Sequence, residues 1–311
     1  MNGQEIHEQR DRLLDGWDEA AKGWGRQADR TQEVALPISE WMLAHSSPEP
    51  GELVLELAAG PGDTGFMAAR RIAPHGLLIC SDASAMMLDV ARERAADQGI
   101  RNVEFKQLQL EWIDVQTASA DVVLCRWALM LTLDPAAALR ECRRVLKPAG
   151  RLAIAVWDSP GANPWASLAQ RVMAELGYTQ TPVPAPDQAA VPLAPVPGRP
   201  GPAPSAGQAA PGPPGMFALS RPGLLAGMLY EAGFFDVAVE AVAITRRYRD
   251  VTDWLGETRD LSQSFASVWA RLDDGERAVI RERLATAAAA YTQADGSLAL
   301  PGSSLAAFAT A

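Results

Sequence analysis

VLELAAGPGDTG, residues 54 to 65, carries an apolar segment into a turn that spells G-x-G-x-x-G through Gly60, Gly62 and Gly65. The apolar run LVLEL at 53–57 reads as a strand, and Asp63 to Ile72 as the helix that follows it. Between a strand and a helix, glycines let the main chain approach a ligand closely. The free N–H groups that open the helix favour an anionic group by ~0.3 to 1 kcal/mol, and by up to ~2 kcal/mol when partly buried. The turn suits a dinucleotide pyrophosphate, the amino-acid end of a different adenosine cofactor, or a tight turn without a ligand. Asp82, at the end of the next apolar run, is a turn or cap residue or a carboxylate that accepts from both ribose hydroxyls of either cofactor; with this loop before it, it supports an adenosine ligand.

The same alternation continues on both sides of the turn. LLICS (77–81), VEFKQ (103–107), DVVLC (121–125) and RLAIAVW (151–157) read as strands. Ser84 caps a helix to Ala96, and Pro135 opens another to Leu146. Strands separated by helices at this spacing require right-handed crossovers and a parallel sheet covered on both faces, which is a doubly wound α/β core. Residues 5–46 read as helical, interrupted at the glycines of KGWGRQ and at Pro37. Residues 181–215 hold about half of the chain's prolines and almost no charge, a composition expected to be disordered. A helix (222–232), a strand (237–243), a helical region (252–291) and a closing strand in LAAFATA follow.

With 48% hydrophobic residues among 311, the chain can bury a sizeable core. A net charge of −10 disfavours nonspecific attachment to nucleic acid, which needs clustered Lys and Arg. Cys80, Cys125 and Cys142 lack metal-ligand spacing, and their odd number suits a reducing compartment. No apolar run reaches bilayer length and no secretion signal is evident, so a cytoplasmic location is expected.

Glu56 separates the two cofactor readings. A carboxylate inside LVLEL is costly to bury without a cationic or donor partner, and the ammonium of a bound amino-acid moiety, directly or through water, supplies one; an Arg or a backbone donor is the alternative. Hydride transfer to a carbonyl usually also needs a proton donor. Histidines stand only at 7, 45 and 75 and lysines only at 22, 106 and 147, with no Tyr-x-x-x-Lys. Methyl transfer from a sulfonium needs no dedicated acid, since alignment alone can lower a barrier by ~7 to 11 kcal/mol. The scarcity of donors favours methyl transfer.

VLELAAGPGDTG, SDASAMMLDVARERA, SADVVLCRWALM and RECRRVLKPAGRLAIAVW together resemble the class I S-adenosylmethionine-dependent methyltransferases, especially the ubiquinone and menaquinone C-methyltransferases. The resemblance implies a Rossmann-like, mostly parallel seven-stranded sheet with an N-terminal helical lid and a C-terminal helical insertion. It divides the chain into a helical cap (1–48), a cofactor-binding core (49–160), a connector (161–180), the Pro/Ala-rich insertion (181–215) and a completion of the sheet (216–311) with a substrate cover at 252–291.

By position, the resemblance implies that Glu56, Ala58, Gly60 and Gly62 line the methionine end of S-adenosylmethionine and that Asp82 holds its ribose. Ala83 and Met87 lie beside the adenine, and Gln109, Leu110, Glu111 and Trp112 cover its edge. Cys125, Arg126 and Trp127 face the sulfonium, and Trp24 belongs to the lid. Ala58 replaces a common glycine, which is tolerable at negative φ, and Gln109 replaces a common acid. Trp157 and Trp165 are further candidates for stacking on a planar substrate.

The implied activity is in-line methyl transfer to a small-molecule acceptor by a monomer or homodimer, with no metal and no assigned catalytic residue; Glu111 and Asp158 are candidate bases. The alternatives are an NAD(P)-dependent oxidoreductase and a noncatalytic cofactor-binding protein.

Overall fold

A computed structural model describes residues 3–179 and 213–311, with side chains from Arg10 onward. Strand β1 (Leu53–Leu57) has Val54 and Leu55 fully buried, as befits a strand covered on both faces. It pairs in parallel with β2 (Leu77–Asp82) and β4 (Ala120–Arg126). β3 (Val103–Gln107) flanks β2, and β5 (Leu146–Trp157) flanks β4, again in parallel. β7 (Leu298–Thr310) is antiparallel to β5 and to the edge strand β6 (Phe235–Tyr248), giving the order β3-β2-β1-β4-β5-β7-β6. The sheet is mostly parallel, seven-stranded and Rossmann-like. Its order reverses between β1 and β4, so a ligand crevice is expected beyond the carboxyl ends of these two strands.

Local sequence sets the crossover helices. α3 (Asp63–Ile72) starts after Gly62 in the left-handed region, φ 88°. Ser84 caps α4 (Ala85–Asp97) by accepting from the Met87 N–H, and Asp134 caps α5 (Pro135–Val145) by accepting from the Ala137 N–H at 2.8 Å. α7 (Leu224–Glu231) leads into β6.

The N-terminal segment departs from expectation. α1 (Gly3–Arg26) runs through Gly23 and Gly25, and the break falls at Gln27. Gly23 serves packing instead: a Cβ there would stand 2.1 Å from the Asp260 carbonyl oxygen. Pro37 lies inside α2 (Ala28–Ser46), where burial of Ala35, Ile38, Met42 and Leu43 overrides its poor helix propensity.

The C-terminal strands also exceed the expected 237–243 and 305–311, because they pair with each other from Tyr248↔Leu298 to Phe235↔Thr310. At the end of β6, Ile244, Arg246 and Tyr248 alternate as its buried face. Arg246 ends the apolar run in the sequence, which hid the last turn of this alternation.

A second core joins α6 (Pro164–Glu175), α8 (Val251–Leu261), α9 (Gln263–Trp269) and α10 (Asp274–Ala287) around Trp254, Phe265, Ile280 and Leu284. α8 is tied to the N-terminal helices by Arg30–Asp253 at 3.0 Å and by the Arg26–Asp260 pair. The expected Pro/Ala-rich segment, 181–215, lies outside the described residues except for 213–215.

Candidate cofactor and acceptor site

Glu56 sits under the first turn of α3, 3% exposed, with its Oε1 accepting from the Gly65 N–H at 2.8 Å. Gly65 is required by this approach, since a Cβ there would lie 2.1 Å from Glu56 Oε2. Oε2 itself has no hydrogen-bond partner. Burial pushes the Glu56 carboxyl up to about 8 against the pull of the Gly65 N–H and Arg126.

Arg126, at the end of β4, is its cationic counterpart. Its Nε donates to Thr64 Oγ1 at 2.9 Å and its Nη2 to Asp63 Oδ2 at 3.3 Å, while its buried Nη1 has no partner. Burial lowers the guanidinium pKa, which the Asp63 and Glu56 carboxylates partly offset. Asp63 is held from the other side by Arg94, whose Nη2 also donates to Gln32 of α2. The crevice floor thus carries unpaired hydrogen-bonding capacity of both signs.

Asp82 ends β2 with one oxygen accepting from Gly60 N–H and the other from Ser84 N–H, both at 2.9 Å. Its carboxyl is raised by burial, against these N–H donors. Ser84 Oγ donates to Asp18 of α1, which lays the N-terminal helix over this end of the crevice. Trp24, one to two turns further along α1, has a buried indole N–H without an acceptor and meets Trp17 edge-on, ring centroids 6.3 Å apart. Ala83 is half-buried, Met87 is 3% exposed, and the Ala83 carbonyl accepts from Gln107 Nε2.

The segment after β3 is more open. Gln109 and Trp112 form an isolated antiparallel bridge, Leu110 is buried, and Trp112 is 76% exposed. Glu111 accepts from the Leu133 N–H at 3.1 Å and orders the loop before α5, so its carboxylate faces main chain. Asp158, the other candidate base, accepts from Ser159 N–H and Ser303 Oγ. Both have structural work that a free base would not.

Cys125 is buried and its thiol is pushed up to about 12, which keeps it protonated and non-nucleophilic. Trp127 has φ 60° and is held there by its indole N–H donating to Ser304 Oγ at 2.8 Å, by Trp157 stacked at 4.1 Å and by Arg126 over its ring.

Ala58 corrects an expectation. Its φ is 48°, in the left-handed region, where the tolerance argued for alanine required a negative angle. Ala58→Gly is expected to raise stability by ~1 kcal/mol, read as an upward shift of the denaturant midpoint. An unchanged or lower midpoint contradicts strain at this position.

Several residues of the site were not singled out as site residues in the sequence: Asp63, Thr64 and Asp18, which with the N-cap Ser84 lock the crevice together, and Arg246 and Glu257 beyond it. Asp63 and Ser84 carried a signal as polar residues at helix starts. Asp18 carried none, because its partner is set by how α1 lies on α4.

A mostly parallel sheet whose order reverses above a glycine turn, a strand-end acid and a helical roof makes an α/β fold with a ligand crevice at the reversal. Residues 48–185 match the family described as a methyltransferase domain. The chain is 35% identical over 111 residues to a ubiquinone/menaquinone biosynthesis C-methyltransferase of Cellvibrio japonicus, covering 35% of this chain and 45% of that protein. It is 37% identical over 123 residues to the corresponding protein of Hahella chejuensis, covering 39% and 49%. The chain therefore spans about half the length of these curated relatives. A Bacillus halodurans structure assigned as a methyltransferase aligns over 88% of this chain and 97% of its own, with 18% identity and a TM-score of 0.51, a likeness of fold. Residues 48–185 are thus similar to a methyltransferase domain, and the matched part of the chain is similar to the quinone C-methyltransferases.

Proposed function

We propose that the whole protein transfers a methyl group from S-adenosylmethionine to a small-molecule acceptor by in-line displacement. The observation that carries this reading is the pair of unsatisfied buried atoms at the crevice floor, Glu56 Oε2 and Arg126 Nη1. A zwitterionic amino-acid head complements both signs, whereas a diphosphate would add charge beside Glu56, Asp63 and Asp82. In this reading Glu56, Ala58, Gly60, Gly62, Cys125, Arg126 and Trp127 surround the methionine end. Asp82 takes the ribose hydroxyls, Ala83, Met87 and Gln109–Trp112 border the adenine, and Trp24 closes the roof.

When bound, the cofactor supplies an electrophilic methyl group on a sulfonium with a neutral thioether as leaving group. The protein's part is to orient and to exclude water. Asp63 fixes the Arg126 guanidinium, Asp82 holds the glycine turn through Gly60, and α1 with α8 covers the strand ends. The helical cap, core and cover at 1–48, 49–160 and 252–291 are proposed as these working parts. Three free, buried cysteines support a reducing, cytoplasmic setting, and no described helix is long and apolar enough to cross a membrane.

Calorimetric titration with S-adenosylhomocysteine, NAD and NADP tests the reading. Binding of S-adenosylhomocysteine with neither dinucleotide is expected. Dinucleotide binding without S-adenosylhomocysteine would establish the oxidoreductase alternative. Transfer of isotopic methyl from labelled cofactor to a metabolite pool then separates an enzyme from a noncatalytic binder.

A further inference from the structure

Glu257, on α8, is 2% exposed and uses its two oxygens unequally. Oε2 accepts from Arg246 Nη1 at 2.9 Å and from the Tyr248 hydroxyl at 2.5 Å, while Oε1 has no partner. Arg246, also 2% exposed, keeps its Nε without an acceptor. A buried ion pair is best compensated when its remaining donors and acceptors are satisfied; here one of each is left over.

The pair also stands in the right place. β6 and β5 are both antiparallel to β7 and so run parallel to each other, which brings Arg246 and Tyr248 to the end of the sheet where Trp127 and Trp157 lie. The Arg246 guanidinium is 3.9 Å from the Trp165 ring centroid and 5.9 Å from that of Trp157, and Trp157 stacks on Trp127. Arg126 lies 4.5 Å from the Trp127 ring. Two arginines thus flank a run of three indoles, one at the cofactor crevice and one at Glu257. Glu257 also lines a surface cleft of about 280 Å³ between Gln27 and α8, whose other walls are Arg249 to Asp260 rather than Arg246 or the indoles.

We infer that Glu257 and Arg246 recognise the methyl acceptor, and that this acceptor is a planar molecule carrying a hydroxyl donor together with an oxygen acceptor. The hydroxyl donates to Glu257 Oε1, and Arg246 Nε donates to the oxygen. Tyr248, whose phenol burial holds well above its ordinary range, stays a donor to Oε2 and leaves Oε1 as the accepting atom. The inference rests on the methyl-transfer reading, which defines the acceptor.

The probes are 3,4-dihydroxybenzoate and 3,4-dimethoxybenzoate, titrated calorimetrically into the protein with and without saturating S-adenosylhomocysteine. The dihydroxy compound is expected to bind at least tenfold more tightly than the dimethoxy compound. In Arg246→Met/Glu257→Leu, which removes both charges together, that binding falls at least tenfold while S-adenosylhomocysteine affinity stays within twofold. Glu257→Gln, which keeps the shape and one accepting oxygen, is expected to weaken the dihydroxy compound at least threefold, and it carries the test should the double variant not fold. Equal binding of the two compounds, binding of neither, or unchanged affinity in the variants overturns the inference. Loss of S-adenosylhomocysteine binding by the unaltered protein is a separate result that counts against methyl transfer, and the probes are then read on the free protein.

Discussion

Glu56→Gln is expected to make the protein more stable at pH 8.5 and less able to bind S-adenosylhomocysteine, two effects of opposite sign from one atom. The Glu56 carboxyl is raised from 4.5 to about 8 in the folded chain. The folded state therefore holds a proton that the unfolded state releases between these values, and stability falls as pH rises through this window, by roughly 1.4 kcal/mol per pH unit. The contribution is complete below about 4.5 and gone above about 8. Glutamine keeps an acceptor for the Gly65 N–H and carries no charge, so the decline should flatten, with a gain of up to about 5 kcal/mol at the alkaline end. Cofactor binding should weaken at least about tenfold at the same pH, since a neutral amide replaces the carboxylate proposed to face the ammonium. Thermal melts from pH 5 to 9 beside calorimetric titrations measure both. A variant whose melts keep the parent's slope would show that Glu56 is ionised throughout.

Asp82→Ala should be more damaging still. Two main-chain N–H groups, Gly60 and Ser84, lose their shared acceptor, each worth ~1.5 to 3 kcal/mol when the acceptor is charged. The glycine turn and the start of α4 are then no longer fixed to each other. A loss of ~3 kcal/mol in denaturant unfolding is expected, together with at least a hundredfold loss of S-adenosylhomocysteine affinity, since the same carboxylate is proposed to hold the ribose. If affinity survives while stability falls, Asp82 is structural only and the ribose is held elsewhere.

The parallel half of the sheet was legible because most of its strands are short apolar runs and Ser84 and Asp134 cap two of the crossover helices, so local signals and final structure agree. VEFKQ is β3 to the residue, and Ser84 is the N-cap it resembles. What escaped was decided at a distance. Gly23 reads as a helix breaker, yet it meets the carbonyl of Asp260, more than two hundred residues away. Ala58 reads as an alanine tolerable at a negative φ, but the turn sets its φ at 48°. Arg246 falls beyond the strand expected at 237–243 and is buried against Glu257 and Trp165. Polar residues whose partners come from another element have no periodic signature, so the glycine turn was visible while the Asp63, Arg126 and Arg94 lattice around it was not.

β5 lies inside the sheet, but one of its two neighbours, β7, is formed by residues 298–310. While the chain emerges from the ribosome, β1 to β5 can assemble long before β7 exists, leaving β5 as a bare, almost wholly apolar margin open to pairing with another nascent chain. Vectorial synthesis thus sets a window of vulnerability that closes only when the last strand threads between β5 and β6, and interruptions of translation upstream of residue 298 should yield aggregates rather than a shortened but workable protein.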